Sequence, residues 1–288
     1  MDKKIINIKI QVNPLDNSIE KFVLKKINKT PPESYDHISL DELNNIYKLV
    51  LGHFNENQTK YFSTKIIESI RANFIREHMI YMHKKLVSSE KNIIHDYKLN
   101  KSLLDLVKKY DGSPLNLLRI IFKSKYHKKL TQIVSNMNIL NPKDKFELNW
   151  AIEHDKYALV NQNEILNKSI NFEKKIEEIL TKLNVKFKTQ CELANEQIKQ
   201  NKKAFNTPDF LIINDLYIGD FKINWIDAKN FYGSSTNFMM YKIKSQTNKY
   251  INAWGTGCII FSIGFNSDLK INNIKMIDFN SFENYKKL

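Results

Sequence analysis

Apolar residues recur every three or four positions through much of the first half of the chain, a period that predicts amphipathic helices. The first helix begins at Ser39, because Ser39-Leu40-Asp41-Glu42 has the form of a capping box. A longer helix with the same period is predicted from about Thr59 to Leu86. Residues 1 to about 35 precede them as a polar lead-in, which ends at Thr30-Pro31-Pro32 and has room for a short strand or arm at Ile5 to Val12.

Residues 102 to 130 have the proportions of a helix-turn-helix. Apolar residues give the first helix a buried face, Asp111-Gly112 makes the turn, and Ser113-Pro114 caps and opens the second helix. The second helix carries Arg119, Lys123 and Lys125, which are candidate contacts for a nucleic-acid backbone. Such helix pairs also occur as plain packing units, so the pattern leaves both interpretations open.

From Asn141-Pro142 the chain turns towards a second domain. Its predicted elements are a helix at 171–183, a strand at 185–193, a hairpin, a helix at about 236–253 and a strand at 257–265. The order helix, three strands, helix, strand is typical of an α/β domain. The sequence therefore predicts an α-helical region with a helix-turn-helix at residues 1–160 and an α/β domain at residues 161–288.

The hairpin carries the most distinctive chemistry of the chain. Its first strand is opened by Pro208-Asp209, its turn lies at Gly219-Asp220, and its second strand runs over residues 222–230. Side chains alternate between the two faces of a strand, so Asp227 and Lys229 face one side and their apolar neighbours face the core. A hairpin folded at this turn brings Asp209 back beside them. Two carboxylates and an ammonium group would then converge, an arrangement suited to a hard cation and a phosphodiester.

The Asp-x-Lys pattern is weak by itself, because it also occurs at Asp2-Lys3-Lys4 and at Asp220-Phe221-Lys222. Position separates the two occurrences in the hairpin. Asp220 lies in the predicted turn, whereas Asp227 lies in an apolar strand, where a solvated charge is not expected. On spacing alone, a hairpin with surface charges is the alternative interpretation.

Composition narrows the class of protein. The 288 residues carry 45 Lys and Arg against 31 Asp and Glu, and this net charge of +14 favours an anionic partner such as nucleic acid. An A/T-rich coding sequence also enriches Lys, Asn and Ile together, which weakens that inference. Cys191 and Cys258 are too few for a zinc cluster or a disulfide framework, and no apolar run is long enough to span a bilayer. We expect a soluble intracellular protein, in the nucleus or cytoplasm, without a membrane partner.

The order of elements, with Pro-Asp on the second strand and Asp-x-Lys on the third, resembles the PD-(D/E)xK nuclease superfamily. The sequence is similar in particular to its TPD-motif family, through Thr207-Pro208-Asp209-Phe210, residues 223–229 and Phe231-Tyr232-Gly233. Residues 110–119 and Asp155-Lys156-Tyr157 are also similar, so the resemblance covers residues from about 100 to 288. It implies a restriction-endonuclease-like core behind helix-turn-helix segments, and a protein partner in addition to nucleic acid.

Carried over by position, the resemblance implies roles for the residues of the hairpin. Asp209, Asp227 and the backbone carbonyl of Ala228 would ligate Mg²⁺, for which Mn²⁺ can substitute. Lys229 would orient or deprotonate the attacking water and offset charge in the transition state.

The resemblance also extends to the two helices beside the hairpin. Glu173 matches the additional catalytic and metal-binding acid of the superfamily, and Glu177, one turn later, is the alternative. Gln246 and Tyr250 are similar to a Gln-x-x-x-Tyr motif that contacts nucleic acid in the exonuclease branch, and they share a helix face. Tyr250 packing in the core is the simpler interpretation of that residue.

A metal-dependent nuclease that hydrolyses phosphodiester bonds, in DNA, is the function that these observations favour. The alternative is a catalytically silent nucleic-acid-binding or adaptor protein on the same fold. The presence of all four residues, Asp209, Asp227, Lys229 and Glu173, favours the enzyme, because a degenerate member would be expected to have lost one. A transcription regulator that uses the helix-turn-helix leaves the second domain unexplained.

Overall fold

The structure is a computed structural model that describes residues 5–27, 35–158 and 162–287. Two sequence predictions lie outside these residues: the end of the lead-in at Thr30-Pro31-Pro32 and the domain boundary at residues 160 and 161. None of the described helices is long and apolar enough to cross a membrane.

The described part of the N-terminal half contains, in order, β1 (Ile6–Lys9), α1 (Asn17–Ile27), α2 (Leu40–His53), α3 (Glu56–Thr59), α4 (Thr64–Ser88), α5 (Glu90–Lys98), α6 (Leu103–Tyr110), α7 (Pro114–Tyr126), α8 (Leu130–Val134), a short 3-10 helix (Met137–Ile139) and α9 (Pro142–His154). The described part of the C-terminal half contains α10 (Gln162–Lys182), β2 (Phe187–Thr189), α11 (Gln190–Asn201), β3 (Phe210–Ile218), β4 (Phe221–Lys229), α12 (Asn237–Trp254), β5 (Gly257–Phe261), β6 (Ile274–Asp278), α13 (Phe279–Glu283) and β7 (Lys286–Lys287).

These elements form two compact units. The sheet unit combines the described residues of Met1–Val23, Tyr47–Ile70 and Asn163–Leu288. The helical unit combines those of Leu24–Ile46 and Arg71–Gln162. Segments from the N-terminal half therefore contribute to the same unit as the central hairpin.

The strands of the sheet unit form one mixed sheet in the order β6-β5-β4-β3-β1-β7, with β2 paired to β3. The hairpin strands β3 and β4 are antiparallel, as the sequence predicted, while β4, β5 and β6 run parallel to one another. The short strand allowed at Ile5 to Val12 is present as β1, which lies parallel to β3. The predicted α/β character of this part of the chain is confirmed.

Each face of the sheet has its own apolar core. On one face, Ile226 packs with α10 through residues such as Ile176. On the other face, Trp225 packs with α12 through residues such as Ile243. Because consecutive residues of β4 face opposite sides, Asp227 and Lys229 share the face of Trp225 and of α12, and the predicted alternation is confirmed.

The helix-turn-helix predicted at residues 102–130 is confirmed by α6 and α7 in the helical unit. Ser102 and Asp105 form a reciprocal cap at the start of α6, and Asp111 ends it in the left-handed conformation with φ of 49°. Ser113 caps α7, whose first residue is Pro114. Half of the predicted capping box at Ser39 is present, because the Ser39 hydroxyl accepts a hydrogen bond from the amide of Glu42 at 3.2 Å and α2 begins at Leu40.

The strand predicted at residues 185–193 is wrong in its second half. Only Phe187–Thr189 is extended, and α11 begins at Gln190. The reason is a second capping box: the Thr189 hydroxyl accepts from the amide of Glu192 at 3.4 Å, and the Glu192 carboxylate accepts from the amide of Thr189 at 2.8 Å.

The polar lead-in contains a helix that the sequence pattern did not predict. In α1 the side chains of Ile19, Val23 and Ile27 recur every four residues and are buried. Charged and polar residues between them lower the mean hydropathy of the segment, although the spacing alone is that of an amphipathic helix.

Gly257 is the glycine whose replacement should test the packing of the sheet. A Cβ atom at this position would lie 2.2 Å from two ring atoms of the fully buried Trp225. We expect Gly257→Ala to lower stability by roughly 1–3 kcal/mol, the usual cost of an overpacked core. Gly52 in α2 is the control, because a Cβ there meets nothing within 4 Å. Thermal melts that show Gly257→Ala as stable as Gly52→Ala would contradict the packing described here.

Candidate functional site

Asp209 and Asp227 are neighbours because of the register of the hairpin. Phe210, the first residue of β3, pairs with Ile226 on β4, so the preceding Asp209 lies beside Asp227. The Asp209 carboxylate accepts a hydrogen bond from the backbone N–H of Ala228 at 2.6 Å. Asp220, in the turn, lies seven residues from Asp227 along an extended strand, roughly 20 Å away. The structure therefore separates the two Asp-x-Lys patterns of this hairpin.

Asp227 is buried, with 1% of its surface exposed. Its Oδ2 atom lies 2.5 Å from the ammonium nitrogen of Lys229, whose side chain is 14% exposed. The two groups form an ion pair without the alignment of a hydrogen bond, and no other described residue donates one to this oxygen. A buried carboxylate oxygen with no hydrogen-bond donor is unusual, and it is available to a cation.

A chain of hydrogen bonds holds the Lys229 side chain from the side of α12. Its ammonium donates to the amide oxygen of Gln246 at 3.0 Å, and the amide nitrogen of Gln246 donates to the hydroxyl of Tyr250 at 3.1 Å. Tyr250 donates in turn to the backbone carbonyl of Thr207 at 3.3 Å. The chain thus links α12 to the Thr-Pro-Asp segment that opens β3.

Tyr250 packs in the core, as the simpler interpretation of the sequence has it, and its contact with nucleic acid stays a prediction. Its ring packs against Trp225, with the ring centroids 5.3 Å apart, and its hydroxyl takes part in the chain to Lys229. Burial raises the pKa of Tyr250 to about 12, and the charge of Asp227 acts in the same direction, so the hydroxyl keeps its proton at neutral pH.

Glu173 approaches the same site from α10, on the opposite face of the sheet. Burial raises the pKa of its carboxyl group, the negative charge of Asp227 raises it further, and the ammonium of Lys229 opposes the shift. These effects require that Glu173 lies within electrostatic reach of the hairpin residues. Glu173 and the alternative, Glu177, are both half-buried on α10, and the choice between them stays a prediction.

Asp209 is the carboxyl group most affected by its surroundings. Burial raises its pKa to about 8, with a further contribution from the charge of Asp227. The hydrogen bond from Ala228 and the charge of Lys229 act in the opposite direction but do not compensate. Burial and the neighbouring charge of Asp227 therefore favour the protonated form of Asp209 at a pH where an exposed aspartate would be ionised.

Oxygen atoms dominate the possible metal ligands of this cluster. Asp209, Asp227 and the carbonyl of Ala228 offer the hard ligands that Mg²⁺ prefers, and the Asp227 oxygen without a hydrogen-bond donor fits such a role. Within the described residues, no three side chains of His, Cys, Asp or Glu form a ready-made metal site. The set that fits a cation is therefore two carboxylates and a carbonyl, with Glu173 nearby.

The predicted nucleic-acid contacts on α7 differ in their surroundings. Lys125 is exposed, and its ammonium forms an ion pair of 2.5 Å with the buried carboxylate of Asp144. Arg119 donates to the side-chain oxygen of Asn116 at 2.6 Å, whereas Lys123 is exposed. Lys125 compensates the charge of a buried carboxylate, which the charge pattern alone could not show.

Glu20 is a residue that the sequence did not single out. Its buried carboxylate accepts hydrogen bonds from the hydroxyls of Tyr232 and Ser234 and from the side chain of Asn266. It therefore fixes the loop that follows Lys229. The Phe231-Tyr232-Gly233 motif marked this loop, but nothing in the sequence near Glu20 pointed to its partner.

Comparisons with known proteins support the resemblance over the C-terminal half. Residues 140–280 match the family model described as "Protein of unknown function TPD sequence-motif", which supports membership of the TPD sequence-motif family over that part of the chain. The chain is also 28% identical, over 276 residues, to an uncharacterized protein of Acanthamoeba polyphaga mimivirus. That alignment covers 93% of this chain and 85% of the viral protein. No solved structure matches the chain.

The proton on Asp209 makes stability depend on pH. Its pKa is higher in the folded protein than in the unfolded chain, so the folded state holds a proton that the unfolded state releases above about pH 4. Its contribution is present in full below that pH and is lost as the pH rises towards 8. We expect the melting temperature in EDTA to fall by several degrees between pH 5 and pH 8, since one pKa unit is about 1.4 kcal/mol.

Asp209→Asn should show a smaller fall, because a neutral amide keeps an oxygen that accepts from Ala228 and has no proton to lose. Asp220→Asn, in the exposed turn, is the control and should follow the wild type. Equal slopes for all three proteins would mean that Asp209 is ionised in the folded state at neutral pH.

Proposed function

We propose that this protein is a metal-dependent nuclease that hydrolyses phosphodiester bonds in DNA, with a restriction-endonuclease-like core of the PD-(D/E)xK type. The observation that carries the proposal is the grouping of Asp209, Asp227 and Lys229 at one end of the hairpin, with Glu173 in electrostatic reach. Carboxylate oxygens can bind a divalent cation, and an ammonium group beside them can offset the negative charge that develops on a phosphodiester during hydrolysis. The free thiols of Cys191 and Cys258 fit a reducing compartment such as the nucleus or cytoplasm.

Mg²⁺ or Mn²⁺ is the proposed cofactor, and Asp209, Asp227 and the carbonyl of Ala228 would hold it, with Glu173 as a further acid. When bound, the ion supplies positive charge at the phosphate and makes a coordinated water more acidic. The protons and charges of the chain itself must then adapt. Asp209 has to release the proton that burial favours, and the cation would share Asp227 with Lys229, its partner among the described residues.

Lys229 is the residue that we assign to the reacting groups. In phosphodiester hydrolysis, a water oxygen forms a bond to phosphorus, the bond to the leaving oxygen breaks, and the products are a phosphate monoester and an alcohol. The ammonium of Lys229 would orient the attacking water and donate a hydrogen bond to a phosphate oxygen, offsetting the charge that grows there, while the proton that the water loses leaves with the alcohol product. The amide oxygen of Gln246 holds the Lys229 nitrogen on the sheet face that carries Asp227.

A catalytically silent adaptor on the same fold would use the site differently. There, Lys229 would serve permanently as the internal partner of Asp227, and a cation would not be needed. Metal binding and cleavage therefore separate the two proposals, because the adaptor predicts neither.

Asp227→Asn is the sharpest test of the nuclease. We expect it to lower cleavage of a DNA panel in Mn²⁺ by roughly two to four orders of magnitude, the range lost with a key charged group, and to weaken Mn²⁺ binding in calorimetry. The matched control is Asp220→Asn, which changes the other Asp-x-Lys pattern of the same strand pair and should cleave within about twofold of the wild type. A wild type that binds no divalent ion and cuts no single-stranded, duplex, flapped or branched substrate would favour the adaptor.

Gln246→Leu tests whether the position of Lys229 matters separately from metal binding. Gln246→Leu removes the amide oxygen that accepts from Lys229, so that Asp227 remains as the partner of Lys229 among the described residues. We expect kcat to fall by about 10–100-fold, the usual cost of losing a supporting hydrogen bond beside a reactive group. Mn²⁺ affinity should be unchanged. Ser245→Ala, at an exposed neighbouring position on α12, is the control, and a kcat equal to that of this control would show that Gln246 has no positioning role.

A further inference from the structure

The helical unit carries a cluster of basic side chains along the end of α7 and the turn into α8. Arg119, Lys123 and His127 follow one another at intervals of four residues, so they share one face of the helix and its cap. Lys128 and Lys129 extend the cluster to the start of α8. Together with Leu130 and Thr131, these side chains line a surface cavity of about 570 Å³, which we call the basic cleft.

The turn that closes the cleft has a fixed geometry. His127 ends α7 in the left-handed conformation, with φ of 53°, and its amide donates to the carbonyl of Lys123 at 3.2 Å. A non-glycine residue pays a small conformational cost there. Lys129 then starts α8, its amide donating to the side chain of Gln132 at 3.0 Å. The backbone that carries the five basic side chains is thus held by hydrogen bonds at both ends of the turn.

The charges of the cleft lack internal compensation. Within the described part of the chain, the residues that line it include no aspartate or glutamate. Arg119 and Lys123, four residues apart on the helix, repel each other. On another side of the same helix, Lys125 has the carboxylate of Asp144 as its partner. The fold gives Lys125 a carboxylate partner and leaves the cleft positive.

The other end of α7 is not available to a ligand. Ser113, Pro114 and Leu115 are buried, and the carboxylate of Asp155 accepts a hydrogen bond from the amide of Leu115 at 3.0 Å. In DNA-binding helix-turn-helix proteins, it is the first residues of the second helix that contact base edges. Here that helix start faces its own unit and lies against the buried carboxyl group of Asp155. This helix pair therefore lacks the usual means of reading a sequence.

We propose that the basic cleft binds the sugar-phosphate backbone of nucleic acid without reading its bases. Four permanent cations around one cavity match consecutive phosphates, and flexible lysines tolerate any sequence. The cleft lies in the helical unit and shares no residue with the acidic site. Backbone binding there consequently does not depend on whether the acidic site is catalytic.

The test is fluorescence anisotropy with two labelled 20-base-pair duplexes of unrelated sequence, in EDTA so that no cleavage occurs. The triple variant Lys123→Gln, Lys128→Gln, Lys129→Gln spares Arg119, which has an internal hydrogen bond. Its affinity should fall at least tenfold for both duplexes at 0.1 M salt. The slope of log affinity against log salt should decrease by two to three, since each lost phosphate contact removes about 0.9.

The matched control is Lys84→Gln, Lys91→Gln, Lys145→Gln, which removes the same charge from exposed lysines elsewhere in the helical unit. An equal loss of duplex affinity and of salt slope in both triple variants would overturn the proposal for the basic cleft, because the total charge of the protein would then explain binding. A tenfold preference of the wild type for one duplex would overturn the claim that bases are not read. Binding to vesicles with 30% phosphatidylserine that only the cleft variant loses, with duplex affinity unchanged, would assign the cleft to a lipid surface and overturn the proposal.

Cleavage measured in parallel with Mn²⁺ separates this proposal from the nuclease. A wild type that binds duplex through the cleft and cuts nothing would retain the cleft and reject the nuclease. If the wild type cleaves DNA and the cleft variant keeps the duplex affinity and salt slope of the wild type, the nuclease proposal stands and the proposal for the basic cleft is rejected.

Discussion

Repulsion between two carboxyl groups that the sheet places side by side is the constraint on which the C-terminal half of this protein depends. The antiparallel register of β3 and β4 leaves Asp209 next to Asp227, in surroundings too buried for both to be ionised without compensation. The folded chain offsets the repulsion with the N–H of Ala228, the ammonium of Lys229 and a proton on Asp209. Such an arrangement costs folding free energy that an apolar pair would not cost. Perturbed carboxyl groups of this kind cluster at sites where a bound ion or phosphate offsets such a loss of folding free energy.

The rest of the sheet unit keeps that arrangement in place. Trp225 fills the space beneath the acids, and its indole N–H donates to the carbonyl of Gly255 at 2.8 Å, which ties β4 to the turn before β5. Gly257 has no side chain, and this lets the ring lie flat against β5. Tyr250 packs on the same ring and continues the hydrogen-bond chain to Lys229. Packing on the α12 face therefore determines where the Lys229 nitrogen lies. A substitution in that core should shift this nitrogen even though no residue of the site is changed.

Local signals were sufficient for the hairpin and the helix pair, because turn residues, caps and alternation act over a few positions. The capping box at Thr189 is equally local, but it overlaps a strand pattern, and that pattern predicted a strand where α11 begins. What sequence could not supply were contacts between distant segments. The pairing of β1 with β3, the partnership of Glu20 with the loop after Lys229, and the ion pair of Lys125 with Asp144 each join residues whose relation appears only after folding. Of the candidate site, the residues were predictable, whereas the proton on Asp209 and the support from α12 were not.

The two Asp-x-Lys patterns of β4 show why a motif needs its place in a fold. Both stand on the same strand pair, and each lysine has an aspartate partner: Lys222 pairs with Asp215 at 2.7 Å, and Lys229 with Asp227 at 2.5 Å. At the turn the first pair is open to solvent, where an ion pair contributes little and can exchange partners with water. At the far end a second carboxylate, a buried core and a helix amide surround the other pair. The same three-residue pattern is thus more exposed at one end of a strand and part of a buried group of charges at the other, and the difference comes from burial and from what the neighbouring elements add.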